Sequence, residues 1–190
     1  MNTFRFKPIA LALLVMVGTL TLNCGYAQIL LTELPKLKAL KVNSTKVITS
    51  GLPTDEQFSD LQQAGVDLVI DLIPKNNPNA NPNELHAATQ AGLTYVNIEV
   101  DWKQPQIQDV EQFFEVMNTH KGKDILIHCA ANYRASAFYY LYQITHERMD
   151  AEAAFKVTLT PWGNDIEQSL SEYPQWQALI NQIKEKYQIQ

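Results

Sequence analysis

The sequence predicts an α/β fold with a mostly parallel central sheet of about four to five strands flanked by helices. Three observations lead there. Short, nearly continuous apolar runs rich in Val, Ile and Leu stop at proline or polar residues; between them apolar residues recur at helical spacing; and no internal repeat or linker interrupts the series. Runs that are apolar throughout suit strands buried on both faces, as in parallel sheets, and strands alternating with helices make βαβ units. A chain of 190 residues, 46% apolar and 18% charged, holds one domain with a full core and is short for two.

The elements follow in order. "TKVITSGLP" (45–53) reads as a strand running into a turn. Thr54 and Gln57 form a capping-box pattern for a helix over 55–64, ended by Gly65. "VDLVIDLIP" (66–74) is a buried strand stopped by proline. "KNNPNANPN" (75–83) is a turn-rich loop whose last residue, Asn83, can cap a helix ended by Gly92. "LTYVNIEV" (93–100) is the next strand. After the loop "DWKQP", Ile107, Val110, Phe113, Phe114 and Met117 lie on one helical face. "DILIHC" (124–129) is a further apolar strand, and a helix over 134–149 buries Phe138, Leu141, Tyr142 and Ile144. Asp150 caps a short helix, and "PQWQALINQIKEKY" (174–187) is a last amphipathic one.

The N-terminus stands apart. Arg5 and Lys7 precede an uncharged, mostly apolar run from Ile9 to Leu22, and Gly25-Tyr26-Ala27 supplies a small-x-small pattern. That order predicts a secretory signal peptide over residues 1–27, cleaved after Ala27, with a single domain over 28–190. A lipoprotein anchored through Cys24 and a retained single span are the alternatives. All three put the domain outside the cytoplasm, secreted or periplasmic, and cleavage leaves no stable membrane insertion. Removing residues 1–27 takes away Arg5 and Lys7 and no acid, so the net charge goes from −5 to −7. An acidic surface of that size argues against nucleic acid as a partner.

Cleavage also leaves Cys129 as the sole cysteine, so no intramolecular disulfide is possible. A lone thiol in an exported domain is either an inert core residue or a reactive one. It lies in "IHCAANYRAS" (127–136), a strand end, a short polar loop and a helix start. Ligands of parallel sheets bind at the carboxyl ends of the strands. There, backbone N–H groups and the helix dipole attract an anion, and an arginine fork adds bidentate hydrogen bonds. The same field stabilises a thiolate. Only two arginines lie in residues 28–190, against eleven lysines, and Arg134 is one of them. Taken singly, Cys129 is a small core residue, Arg134 a solvated helix start and His128 a structural histidine. Taken together they make an anion site containing a nucleophile. The histidines, 86, 120, 128 and 146, show no ligand spacing, so neither a metal nor another cofactor is implied.

This stretch resembles the cysteine-dependent phosphatases of the protein-tyrosine and dual-specificity type, whose signature is H-C-x5-R followed by Ser or Thr. "VITSGLPTDEQFSDLQQAGVDLVIDL" is similar to the first strand, helix and second strand of the small bacterial members, and "HERMDAEAAF" to the segment after their active-site helix. The likeness covers roughly residues 45–160. Two departures stand out. The loop here is C-x4-R, one residue short, and it contains no glycine although tight phosphate loops favour a residue of positive φ. Asn132 is the best substitute, since asparagine tolerates that conformation. Ser136 sits where the family has its hydroxyl, counted from the cysteine, while Arg134 is one place early. A shortened loop accounts for the arginine and point substitution for the serine; the sequence leaves both open.

The resemblance implies a phosphate-monoester hydrolase. Cys129 would attack phosphorus, while Arg134 and the loop amides of Ala130, Ala131, Asn132 and Tyr133 would hold the phosphoryl oxygens. His128 would orient the loop, and Ser136 would stabilise the departing thiolate. Asp101, which opens "DWKQP" 28 residues before Cys129, would protonate the leaving oxygen. Substrates would be phosphorylated small molecules or proteins. Two other classes stay open: a rhodanese-like sulfurtransferase with a Cys129 persulfide, and a non-catalytic binder of phosphorylated ligands. Asp101 separates them, because only the phosphatase needs an acid.

Overall fold

The computed structural model describes residues 28–189; the predicted leader lies outside them. Among the described residues no helix is long and apolar enough to cross a membrane. The elements are β1 (Lys41–Val42), β2 (Val47–Ser50), α1 (Gln57–Gln63), β3 (Leu68–Asp71), α2 (Glu84–Gln90), β4 (Thr94–Asn97), α3 (Ile107–Thr119), β5 (Ile125–His128), α4 (Tyr133–Thr145), α5 (Ala151–Thr158), α6 (Ile166–Glu172) and α7 (Pro174–Lys186), with a 3₁₀ turn at Thr160–Trp162. The five strands order as β1-β2-β5-β3-β4. All pairs are parallel except β1 with β2, so the predicted fold class holds.

Alternation along the strands divides the core in two. Leu68, Ile70, Ile125, Ile127 and Cys129 join the side covered by α3, α4, α5 and α7. Val69, Leu126 and Ile48 join the side covered by α1 and α2. His128 and Asp71 are directly opposite in the β3–β5 register, and alternation points both toward α2. Cys129, one residue on, belongs with α4. The whole of α4 from Arg134 to Ile144 is buried, which is why its sequence lacks a polar face.

Four local expectations need correction. α1 begins at Gln57, and only half of the capping box forms: Gln57 Oε1 accepts the Thr54 N–H at 3.0 Å. Asn83 does precede α2 but makes no side-chain cap, because its amide instead donates to Asp55 Oδ2. α4 ends at Thr145, four residues short of Met149, and the chain then turns through Arg148 at φ 58. α6 and the short β1 had no clear periodicity to announce them. The predicted cap at Asp150 is present, accepting the Ala153 N–H at 2.8 Å, and Gly65 and Gly92 end their helices at positive φ.

Phe138 shows how α4 carries the core: it is fully buried and meets the Phe113 ring edge-on at 5.6 Å. Phe138→Ala should therefore cost about 3–5 kcal/mol of stability. Val157→Ala, at a half-exposed site on α5, should stay within about 0.5 kcal/mol. Chemical denaturation of both variants tests this, and equal effects would contradict the assigned core.

Candidate functional site

Cys129 lies at the floor of a cavity of about 570 Å³ that opens at the carboxyl ends of the strands. Each parallel strand that reaches it contributes the loop that follows. After β3 come Pro74, Asn76, Asn77 and Asn79; after β4, Asp101, Trp102 and Lys103; after β5, Cys129, Ala130, Ala131, Tyr133 and Arg134. The structure thus brings Cys129, Arg134 and Asp101 to one cavity. Asn132, Ser136 and His128 are fully buried and do not line it.

The loop without glycine still makes a left-handed turn. Asn132 has φ 69 and ψ 0, as the sequence suggested, and its buried side chain donates to the Ala39 carbonyl at 2.7 Å. Ala39 is itself left-handed, with φ 47. Such backbone costs roughly 1–2 kcal/mol per residue outside glycine, so the hydrogen bond joins two strained positions. The same turn supplies Lys38, whose ammonium donates to the Ala130 carbonyl at 3.0 Å. Gly51 packs beneath: a Cβ there would meet Ala130 O at 3.1 Å and Lys38 Cβ at 3.1 Å. Segment 38–39 therefore braces the loop from outside the cavity. Nothing in the local sequence announces a contact spanning 92 residues.

Arg134 occupies the first turn of α4 and is 5% exposed. Its Nη1 donates to the Leu72 carbonyl at 2.7 Å, which aims the guanidinium along the end of β3. Its Nε is buried without a hydrogen-bond partner among the described residues. A buried unmet donor is costly, roughly 1–3 kcal/mol, and a phosphoryl oxygen would satisfy it.

Asp101 is exposed, and its Oδ1 accepts the N–H groups of Lys103 at 2.6 Å and Gln104 at 3.2 Å. One carboxylate oxygen thus shapes the loop. The loop is tied to α7, because the Trp102 carbonyl accepts from Trp176 Nε1 at 3.1 Å and Gln175 Nε2 at 3.2 Å. The Trp102 ring packs against Tyr133, Trp162, Tyr173 and Trp176, giving the cavity an aromatic wall opposite its asparagine wall.

Ser136 spends its hydroxyl proton within the helix: Oγ donates to the Asn132 carbonyl at 2.7 Å. Its proton is therefore committed to the turn rather than to a thiolate. His128 is buried completely, with Nε2 2.5 Å from Glu84 Oε1 and 3.8 Å from Asp71 Oδ1. Burial alone lowers the imidazole pKa, but Glu84, Asp71 and the Cys129 backbone outweigh it and raise it. Burial also pushes the Glu84 carboxyl up, opposed by His128. The three side chains could in principle ligate a metal. However, Asp71 already accepts from Ile73 N (2.8 Å), Tyr95 Oη (2.9 Å) and Asn97 Nδ2 (2.9 Å), and Glu84 already meets His128. The cluster fits a compensated ion pair better than a metal site. Glu84 was not legible as a site residue: an acid in a first helical turn reads as a dipole partner.

A family model described as "DSP-PTPase phosphatase fused to NAD+ Kinase" matches residues 32–172. Two crystal structures of a candidate phosphatase (DUF442) from Shewanella putrefaciens CN-32 are similar to this chain. One is 49% identical with a TM-score of 0.72, covering 80% of this chain and 92% of that one. The other is 46% identical with a TM-score of 0.73, covering 82% and 97%. P. aeruginosa TpbA, at 18% identity and a TM-score of 0.57 over 77% of this chain and 91% of that one, is alike in fold. No curated protein matches.

The turn at Asn132 generates a prediction about anion binding. Asn132→Ala keeps the strain and loses the bond to Ala39, and should weaken inhibition by orthovanadate about tenfold, which is roughly 1.4 kcal/mol. Asn132→Gly loses only the bond and should be weakened less. Vanadate affinities of the two variants decide it; wild-type affinity in both would mean that the turn does not shape the cradle.

Proposed function

The chain belongs to the dual-specificity-type phosphatase family described by that model, and from this premise we propose that it hydrolyses phosphate monoesters through a phosphocysteine intermediate. The observation that carries the reading is that Cys129, Arg134 and Asp101, distant in sequence, border one cavity. Membership of the family makes the chain a phosphoric monoester hydrolase; the residue roles below are our own assignment.

The Cys129 thiolate attacks phosphorus in line with the ester oxygen. Cys129 shares the cavity with Arg134, in the first turn of α4, so the positive end of that helix and the guanidinium lie on the nucleophile's side of the site. Arg134, with Nη1 fixed on Leu72, offers its remaining donors to the equatorial oxygens, where charge concentrates in the transition state. Amides of the 130–134 loop add to them. As the phosphorus–oxygen bond breaks, Asp101 delivers a proton to the leaving oxygen from Oδ2, since Oδ1 holds the loop. The resulting carboxylate then takes a proton from water, which attacks phosphorus; the sulfur–phosphorus bond breaks and the thiolate returns. No step calls for a metal or an organic cofactor.

The predicted leader at residues 1–27 supports a secreted or periplasmic location, with the domain over 28–190 free of the membrane after cleavage. The acidic net charge speaks against nucleic acid as a partner. Substrates are phosphorylated small molecules or proteins. TpbA has been solved as a Cys-to-Ser variant in complex with phosphotyrosine, and the aromatic wall of Trp102, Tyr133 and Tyr173 is compatible with a ring of that kind here.

General acid catalysis is worth about 10²–10⁴-fold and matters most for poor leaving groups. Asp101→Asn should accordingly slow hydrolysis of alkyl phosphates strongly and of nitrophenyl phosphate much less, and the fall in rate at higher pH should weaken. Rates across leaving groups of graded pKa, with thiosulfate-to-cyanide sulfur transfer measured on the same preparation, test the reading. Equal losses for every leaving group would remove Asp101 from the chemistry. Sulfur transfer without ester hydrolysis would replace the phosphatase by a sulfurtransferase.

A further inference from the structure

Resting on the phosphatase reading above, we infer that the asparagine-rich loop over 75–83 is a specificity wall for the alcohol half of the ester. That half is a hydroxyl-bearing sugar ring, free or within a nucleotide, rather than a protein side chain.

Five of the nine residues in "KNNPNANPN" are asparagine, and no step of the hydrolysis uses them. The structure divides them by task. Asn81 and Asn83, off the cavity, spend their side-chain amides on the two carboxylate oxygens of Asp55, each at 2.5 Å. Asn77 turns its Oδ1 back to accept the Asn79 N–H at 2.9 Å. Asn76 and Asn79 line the cavity, and their side-chain amides form no hydrogen bond with the described residues. The amides left unspent are therefore the ones that border the ligand's space.

The wall is also held in place before any ligand arrives. At its start the Lys75 N–H donates to Glu99 Oε2 at 3.1 Å, and at its end Asp55 holds Asn81 and Asn83. Between them the N–H groups of Asn77 and Ala80 close turns onto the carbonyls of Pro74 and Asn77, both at 2.9 Å. Ala80 packs against the core, and Pro78 and Pro82 fix φ at two more positions. A loop ordered in this way gives up little entropy when its amides meet a ligand.

The chemistry of the wall then selects the ligand. A carboxamide carries both a donor and an acceptor, as a hydroxyl does, and it carries no charge. Two unspent amides thus match hydroxyls on a ring. Across the cavity, Trp102, Tyr133 and Tyr173 supply an aromatic wall, while Cys129 and Arg134 hold the phosphoryl end. A volume of about 570 Å³ falls within the range of small-molecule sites. A protein substrate would call for docking surface around the mouth, which exposed apolar residues commonly mark. Leu30, Leu31, Val42, Leu85 and Val157 are the exposed large hydrophobic residues, and none of them borders the cavity.

Methyl riboside 5-phosphate and tetrahydrofurfuryl phosphate provide the test. They share a five-membered ring and a primary alkoxide leaving group, and the second lacks the ring hydroxyls. The wild-type kcat/KM should be about tenfold higher for the riboside, the gain expected from two modest hydrogen bonds. In Asn76→Ala/Asn79→Ala that ratio should fall toward one, whereas a loop needed only for its shape would lower both values and keep the ratio. Adenosine 5′-monophosphate separates the two sources of a sugar phosphate: a further gain over the riboside identifies a nucleotide, and no gain a free sugar phosphate. Titration calorimetry on Cys129→Ser measures binding of the same esters, and of a phosphotyrosine peptide, without turnover. A wild-type ratio near one, a ratio unchanged in the double variant, or tighter binding of the peptide than of the riboside would overturn the inference. Selective binding of the riboside by Cys129→Ser, with no ester hydrolysed by the wild-type protein, would overturn the phosphatase reading alone.

Discussion

A strand and a helix separated by only four residues can share one anion cradle only if the chain between them turns left-handed, and in this protein that turn falls on Asn132 at φ 69. No glycine is available to adopt it without strain. The turn is instead held from both sides. Outside, the Asn132 amide bonds the carbonyl of left-handed Ala39, and Lys38 bonds the carbonyl of Ala130, two residues before the turn. Inside, Ser136 closes its hydroxyl onto the Asn132 carbonyl. Once the turn is fixed, Arg134 in the first turn of α4 lies close enough to the end of β3 for its guanidinium to rest on Leu72 O. The shortened loop therefore keeps its arginine in reach of Cys129 by recruiting a segment from the far end of the described chain.

Around this turn the fold concentrates buried charge, which is costly unless each group is paired. Arg134 is anchored by one carbonyl and retains an unmet Nε. Its remaining cost is recovered only when an anion arrives, so the site is prepared for a ligand of opposite sign. His128 is paired with Glu84 on the face away from the cavity. Strand alternation is what permits both arrangements: His128, the last residue of β5, faces α2, and Cys129, one residue on, joins the side covered by α4.

Much of this was legible in the sequence. The strands were, because their apolar runs match a sheet covered on both faces. Cys129, Arg134 and Asp101 were, because residues that follow parallel strands meet at one edge of the sheet. The left-handed turn was assigned to Asn132 from conformational preference alone. What was hidden depends on distant partners. Asn83 has the composition of a cap, yet its amide goes to Asp55. α4 has no glycine or proline at its end, so nothing marked the stop before Arg148. Ser136 matched a family position, but its proton is claimed by its own helix. Lys38 and Ala39 reach the loop, and Glu84 reaches His128, only because tertiary structure brings them there, and no local pattern encodes that.

The central claim is that Cys129 becomes phosphorylated during turnover. Rapid acid quench of the wild-type protein during hydrolysis of an aryl phosphate, followed by mass analysis of the peptide containing Cys129, measures this directly. The account predicts the mass of one phosphoryl group on that peptide, lost on treatment that cleaves thiophosphates and absent in Cys129→Ser. Steady ester hydrolysis with an unmodified Cys129 peptide, or a phosphoryl group on another residue, would contradict it.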